Sequence, residues 1–242
     1  MSLDLERSSS EWVNIGNNLL TTQNVPGVTI CGWAIPESTS SFGSAHSFIA
    51  SSIGTSTTSS RVLIFQSVAS PSLWSCGGRR LDTDGFSALF DNAVSVANLV
   101  HVGAVFDFAN SSLVFYENGV SVASSSPGWG GNTSNTAGQR TALGANDDGG
   151  SEYYDGRIQD LRMYNRALSA GEMGTIYAAR GHDNLLYGLI HRWKLMELSP
   201  GTSASLANSI RDACIGERHG SPNNTPTYRE ALVSVRRRRR AA

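Results

Sequence analysis

The sequence predicts an all-β protein of many short antiparallel strands, with one short helix. Three observations carry that expectation. Hydrophobic residues make up 40% of the chain and charged residues only 16%, with 25 Gly and abundant Ser and Thr, a composition that suits strands joined by small-residue turns. Several runs alternate apolar and polar residues between turn signals. The 242 residues suffice to bury roughly 70% of the unfolded surface in one core, and a single sandwich or barrel uses more than 200 residues readily, so one main domain is expected. No window approaches the roughly 18 uninterrupted apolar residues of a membrane-spanning helix, and no membrane partner is expected.

In chain order, Val28 to Ile35 alternates and is closed by Pro36, and Arg61 to Val68 is a second β-rich run. Leu99 to Phe108 is a further strand. It leads into Leu113 to Ala123, where Asn118-Gly119 supplies the positive φ angles of a tight hairpin turn. These last runs form a meander. The Ser/Gly/Thr-rich stretches Ser38 to Ser60 and Ser124 to Gly150 are expected as loops or edges, the places where a sandwich carries binding. One helix is predicted after Ser169, which with Glu172 makes a capping box ahead of Met173, Ile176 and Tyr177 and a stop at Gly181. It is expected to plug one end of the sandwich. Cys31, Cys76 and Cys214 have long, irregular spacing and read as small core or loop residues.

Tyr154 to Tyr177, Y-D-G-R-I-Q-D-L-R-M-Y-N-R-A-L-S-A-G-E-M-G-T-I-Y, resembles the terminal motif of laminin-G-like, concanavalin A-like lectin/glucanase domains, F-x-G-x-I-D-D-V-R-I-Y-N-R-A-L-S-x-x-E-I. Leu5 to Gly16 and Ile30 to Pro36 resemble that family's F-D-G-x-D-D-Y-V-x-I-G and F-T-I-S-A-W-V-x-P. Leu99 to Ala123 and Gly144-Ala145-Asn146 resemble its W-H-H-V-A-V-V-Y-D, L-Y-V-N-G and I-G-A-N segments. The resemblance implies an antiparallel two-sheet jelly-roll sandwich over residues 1–180, with Trp12, Trp33 and Trp193 at packing positions.

Residues 181–228 form a second region. His191 to Glu197 resembles the W-x-L-D-E strand that normally opens the family's domain, Asp212 to Ser221 resembles the following D-S-S-G-N-G-N-H-G-T, and Pro226-Thr227-Tyr228 resembles the P-x-W/Y after it. The family's first strand thus stands near the end of this chain. It completes its own sandwich as in a circular permutant, completes a neighbour's by exchange, or belongs to a truncated second module. Residues 229–242 are an extended basic C-terminal arm.

Relatives on this fold include glycan hydrolases, whose chemistry needs paired carboxylates flanking the scissile bond. No E-x-D-x-x-E strand occurs. Glu152 and Asp155 do not share a strand face, Asp82 and Asp84 lack a third carboxylate, and no G-x-S-x-G elbow is present. A non-enzymatic protein is expected. The resemblance also implies a structural calcium, and hard oxygen ligands would come from Glu6, Asp160 and Asp212, although Gln159 and Met196 replace family aspartates. Asp160 has an alternative role as ion-pair partner of Arg162 or Arg157. For a glycan, aromatic platforms with amides and carboxylates are offered by Trp74, Trp129, Asn132, Asp147, Asp148, Tyr153 and Tyr154, with loop anchoring as the competing role of Trp129.

The net charge of -1 divides unevenly: residues 1–235 carry 14 basic and 20 acidic groups, and Arg236, Arg237, Arg238, Arg239 and Arg240 follow. Five adjacent guanidiniums suit bidentate pairing with an acidic partner, and without interleaved aromatics they predict no sequence-specific nucleic-acid reading. Met1 to Ser10 lacks a basic n-region and apolar stretch, which predicts synthesis without a standard export signal. The expectation is therefore a bacteriophage virion protein, a head decoration or a fibre or spike component. Its arm docks on other virion proteins or on copies of itself, and its loops face host glycans. The alternatives are a stand-alone bacterial carbohydrate-binding lectin module, cytoplasmic or released by a non-classical route, and, third, a glycoside hydrolase.

Overall fold

The structure, a computed structural model, describes residues 1–16, 22–39, 46–52, 61–68, 71–81, 83–134, 140–146, 151–214 and 217–233. In chain order the strands are β1 (Ser2–Leu5), β2 (Trp12–Gly16), β3 (Gly27–Pro36), β4 (His46–Ser52), β5 (Arg61–Gln66), β6 (Leu73–Gly78), β7 (Ser87–Ala93) and β8 (Val100–Asp107). After these come β9 (Ser112–Glu117), β10 (Val120–Ser125), β11 (Thr141–Leu143) and β12 (Gly156–Tyr164). Helix α1 (Ala170–Ala179) precedes β13 (Leu189–Trp193), β14 (Ser221–Asn223) and β15 (Thr227–Arg229). One sheet has the order β10-β9-β8-β3-β12-β1-β15, with β13 also on β12; the other has the order β14-β2-β11-β4-β5-β6-β7. All pairings within them are antiparallel.

Strand periodicity of two sends alternate residues to opposite faces. In β3, Val28, Ile30 and Ala34 enter the core between the sheets, while Cys31 and Trp33 point outward. That inner core holds Phe48, Phe106, Phe115, Trp193 and Tyr228 among its largest members. The meander β8-β9-β10 forms as its sequence predicts, with Asn118 at φ 51° and Gly119 at φ 79° in the hairpin turn.

Two expectations change. Helix α1 carries the predicted capping box between Ser169 and Glu172, but it does not plug an end. Met173 and Ile176 pack with Cys31, Val105, Tyr116 and Tyr164 on the outer face of the first sheet, because outward-facing residues there are apolar and need a cover. The Ser-rich stretches also contain interior strands: β4 and β11 are adjacent in the middle of the second sheet. Their small residues are no obstacle, since Phe48, Ile49 and Ala142 are buried and the Ser51 and Thr141 hydroxyls bond each other at 2.8 Å.

The edge of β12 is divided between two short strands. Residues Gly156 to Ile158 pair with β1, and Leu161 to Tyr164 pair with β13 of the same chain. Between them the register against β3 shifts, and Asp160 takes a left-handed φ of 51°. The C-terminal region is tied down further as β15 pairs with β1, and Leu232 and Val233 donate backbone N–H groups to Gln159 Oε1 at 2.6 and 3.0 Å. Arg236 to Arg240 lie outside the described residues.

Candidate functional site

The candidate site lies between the β7-β8 connection and the β9-β10 turn. Along β9, Leu113 and Phe115 enter the inter-sheet core, so alternation brings Glu117 to the same inner side at the rim. On β7, Leu89 enters that core from the opposite sheet, and Asp91 follows two residues later. Both carboxyls thus turn to the gap between the sheets, where Asp91 is the acidic neighbour of Glu117. Burial, then this neighbour, pushes the Glu117 carboxyl up to about 7.

Glu117 lines a cavity of about 200 Å³, with Trp74, Leu99 and Val100 as apolar lining and Ser95, Asn98 and Asn118 as the other polar lining. Its walls are held by backbone bonds. Val94 N donates to the Ser72 carbonyl and Ala97 N to the Pro36 carbonyl, both at 2.8 Å, which fixes the β7-β8 connection. Asn118 Oδ1 accepts from His101 N at 3.0 Å, and Asn118 N donates to the His101 carbonyl at 2.8 Å. Its accessible lining is mostly polar, and it is below the roughly 300–1,000 Å³ of drug-sized pockets. It has room for a single ring.

Residues 7–173 match the model of the concanavalin A-like lectin/glucanases superfamily. The chain belongs to this superfamily. Among solved structures it is similar to a putative carbohydrate binding protein from Bacteroides ovatus, at 15% identity and a TM-score of 0.65 over 97% of this chain and 61% of that one. It thus spans about three fifths of that relative. It is also similar to the SAP-like pentraxin of Limulus polyphemus, at 17% identity and a TM-score of 0.57 over 78% of this chain and 83% of that one. A third is the CBM40 of the Ruminococcus gnavus IT-sialidase bound to α2,3 sialyllactose, at 16% identity and a TM-score of 0.54 over 73% and 96%. At these identities the likeness is one of fold. No curated protein matches.

In this lectin-like sandwich the residues expected to contact a glycan are mostly packing groups. Trp74 and Tyr154 stack at 6.3 Å inside the core, both against Phe48. Trp129 is buried on Phe106 and Phe108, the loop-anchoring role. Each aromatic face is covered by protein, so none is an open platform. Asn132 is exposed but staples a loop, donating from Nδ2 to Asn24 O and Oδ1 at 3.0 Å. Tyr153 is half-buried, and Asp147 and Asp148 lie outside the described residues. Of these residues only Trp74 lines the cleft. Asp91, Asn98 and Glu117 carry no motif, and Asn118 reads in sequence as a turn residue; the available signal was a carboxylate at the inward position of L-V-F-Y-E.

The calcium ligands expected from the family resemblance do not converge. Asp160 is buried and accepts from Arg192 Nε at 2.6 Å and Arg162 Nη2 at 2.6 Å. Burial opposes its ionisation, yet the two guanidiniums hold its pKa below the ordinary value. Asp212 is likewise saturated, by His191 Nδ1 at 2.7 Å and the N–H groups of Arg192, Cys214 and Arg218. Neither has an oxygen to spare for a cation. Glu6 differs: its carboxylate and those of Asp4 and Glu37 have ligand atoms within 4.8 Å of one another. Asp4 Oδ1 is buried without a donor, while Oδ2 accepts from Arg229 Nε at 2.6 Å. This donor set fits a hard divalent cation, which Asp4, Glu6 and Glu37 would hold.

Proposed function

We propose that this chain is a non-catalytic glycan-binding protein that takes one sugar ring in the cleft between the β7-β8 connection and the β9-β10 turn. The observation that carries the reading is the cleft itself, with amides, a hydroxyl and a carboxyl along its wall on a lectin-like sandwich. Relatives named for carbohydrate binding support it. Hydrolysis is disfavoured because Glu117 is the one carboxyl in the cleft lining, whereas glycosidases flank the scissile bond with two. The test is a glycan screen followed by Asn98→Ala, which is expected to weaken binding about tenfold, the worth of one good hydrogen bond. Retained affinity in that variant moves the site elsewhere, and release of reducing sugar overturns the non-catalytic assignment.

Within that class, a structural or adhesion role in a bacteriophage virion is supported by the division of charge, with Arg236 to Arg240 following an acidic body. Removal of residues 236–242 is expected to abolish incorporation into particles and leave the body folded; unchanged incorporation refutes docking by the arm. A monodisperse monomer that binds a glycan array tightly supports the stand-alone lectin module instead. Calcium, on this reading, is a structural ion on Asp4, Glu6 and Glu37. Its addition at a hundredfold over Kd raises stability by about 2.7 kcal/mol, seen as a higher Tm that Glu6→Gln reduces.

A further inference from the structure

We propose that Arg229 is a tethered competitor for the cation on Asp4, Glu6 and Glu37, so that a divalent ion and the root of the C-terminal arm exchange on Asp4. The inference rests on that triad being the cation site and adds how its occupancy is governed. Two stretches of chain build the triad. Asp4 is on β1 and Glu6 follows the end of that strand, while Glu37 follows Pro36 at the end of β3 and is fixed by its N–H on the Asp155 carbonyl at 3.0 Å. One oxygen from each carboxylate lies within 4.8 Å of the others, a spacing that two metal–oxygen bonds of about 2.3–2.6 Å bridge. Asp4 is 2% exposed, and its Oδ1 has no donor. A buried carboxylate oxygen without a partner is costly, and a cation answers it.

The guanidinium already present belongs to the arm. Arg229 is the last residue of β15, and its Nε donates to Asp4 Oδ2 at 2.6 Å. Among the described residues it is the one side-chain cation paired with the triad. Arg157, opposite Asp4 on β12, spends its donors elsewhere, Nε on Ser2 Oγ at 3.2 Å and Nη2 on the Glu230 carbonyl. Both arginines therefore hold the root of the arm, but only Arg229 does so through an acid of the triad. Its side chain is 53% exposed, so it leaves Asp4 for water at small cost, as the members of exposed ion pairs do. A divalent ion on Asp4 stands beside this guanidinium, and the two charges repel. The coupling is reciprocal: whatever Arg229 subtracts from the ion's affinity, the ion subtracts from the Arg229 contact. Beyond Arg229 the arm keeps its bonds to Ser2, Arg157 and Gln159, so the exchange loosens the root without detaching the arm.

The experiment is a calcium chloride titration of the full chain, by calorimetry for affinity and by NMR for the Arg229 Nε–H signal, with sodium chloride at matched ionic strength as the screening control. Calcium is expected to shift that signal in the wild-type chain where sodium does not. It is also expected to bind Arg229→Gln about tenfold tighter, equivalent to about 1.4 kcal/mol, and to bind Arg229→Lys, which keeps the charge, as it binds the wild type. The NMR reading needs no variant, so it holds even where a substitution impairs folding. Equal affinity in the wild type and Arg229→Gln, or an unmoved Nε–H signal at saturation, overturns the exchange and leaves the triad as the cation site. The same shift with sodium chloride reduces the effect to screening and overturns it too. Absence of calcium binding in both chains, or binding that survives Glu6→Gln undiminished, overturns the cation site together with the exchange.

Discussion

Glu117 and His101 respond to pH in opposite senses, and each gives a separable signature. The Glu117 pKa is raised to about 7 from 4.5, by burial first and then by Asp91. Its native state therefore binds more protons than the unfolded chain between these values, and that stabilisation is full below 4.5 and lost as pH rises through about 7. Glu117→Gln is expected to raise stability at pH 8 by about 1 kcal/mol, a modest figure because solvent screens the half-buried pair, or about 2–4 °C in Tm for a domain of this size. An unchanged Tm at pH 8 sinks the account of an uncompensated acid pair. His101 is buried on Trp33, with ring centroids 4.9 Å apart, and burial, then Arg162, depresses its pKa from 6.5 to about 3. The unfolded chain binds the proton first, so this contribution is present above 6.5 and is lost as pH falls through about 3, with a slope of about 1.4 kcal/mol per pH unit. Urea unfolding from pH 6.5 down to 4 is expected to show that slope, with His46, depressed by burial and Arg7 to about 4, adding to it. His101→Leu removes the His101 share; an undiminished slope places the titration elsewhere.

Strand β13 depends on charge as much as on its backbone ladder. Where β1 leaves β12, the left-handed Asp160 turns to Arg162 and Arg192, and Arg162 also takes both oxygens of Asp183 at 2.8 Å. The network thus joins β12, β13 and the segment between α1 and β13. Arg192→Met leaves part of a buried carboxylate unanswered and is expected to cost about 3–5 kcal/mol, measurable by denaturant unfolding; a loss below 1 kcal/mol means the backbone ladder suffices. The ion-pair role of Asp160 was legible from Arg162 two residues on, while Arg192, on another strand, was not. The β9-β10 turn and the α1 cap were legible because they are set by contiguous residues. Strands β4 and β11 were not, because hydroxyls such as Ser51 and Thr141 look polar in sequence and satisfy each other once paired. The cleft escaped for a related reason: Asp91 and Glu117 belong to different sheets, and only the closed sandwich brings them together.

At the scale of the whole molecule, the order of segments along the chain is separable from the fold they make. Strands β15 and β1 are antiparallel with Arg229 opposite Ser2, and Ser2 Oγ donates to the Glu230 carbonyl at 2.7 Å. The last strand among the described residues and the first are thus the two arms of a hairpin that lacks only its turn. The segment between α1 and β13, by contrast, passes through exposed Leu186 and Tyr187. A permuted chain that begins at Tyr187, joins Glu230 to Met1 by a short Asn-Gly turn and ends at Leu186 would place β13, β14 and β15 ahead of β1, the order in which the family's domain is read. Exposed loops tolerate new termini and adjacent termini tolerate joining, and a type I′ turn matches the strand twist. The proper reference is the unpermuted chain ended after Glu230, since both lose the Leu232 and Val233 bonds to Gln159. The permutant is expected to keep that reference's circular dichroism and to melt within about 4 °C of it, a difference near 1 kcal/mol. An unfolded or aggregated permutant would show that the β13 region reaches β12 only by way of α1, and that the sandwich depends on the order in which its segments are connected.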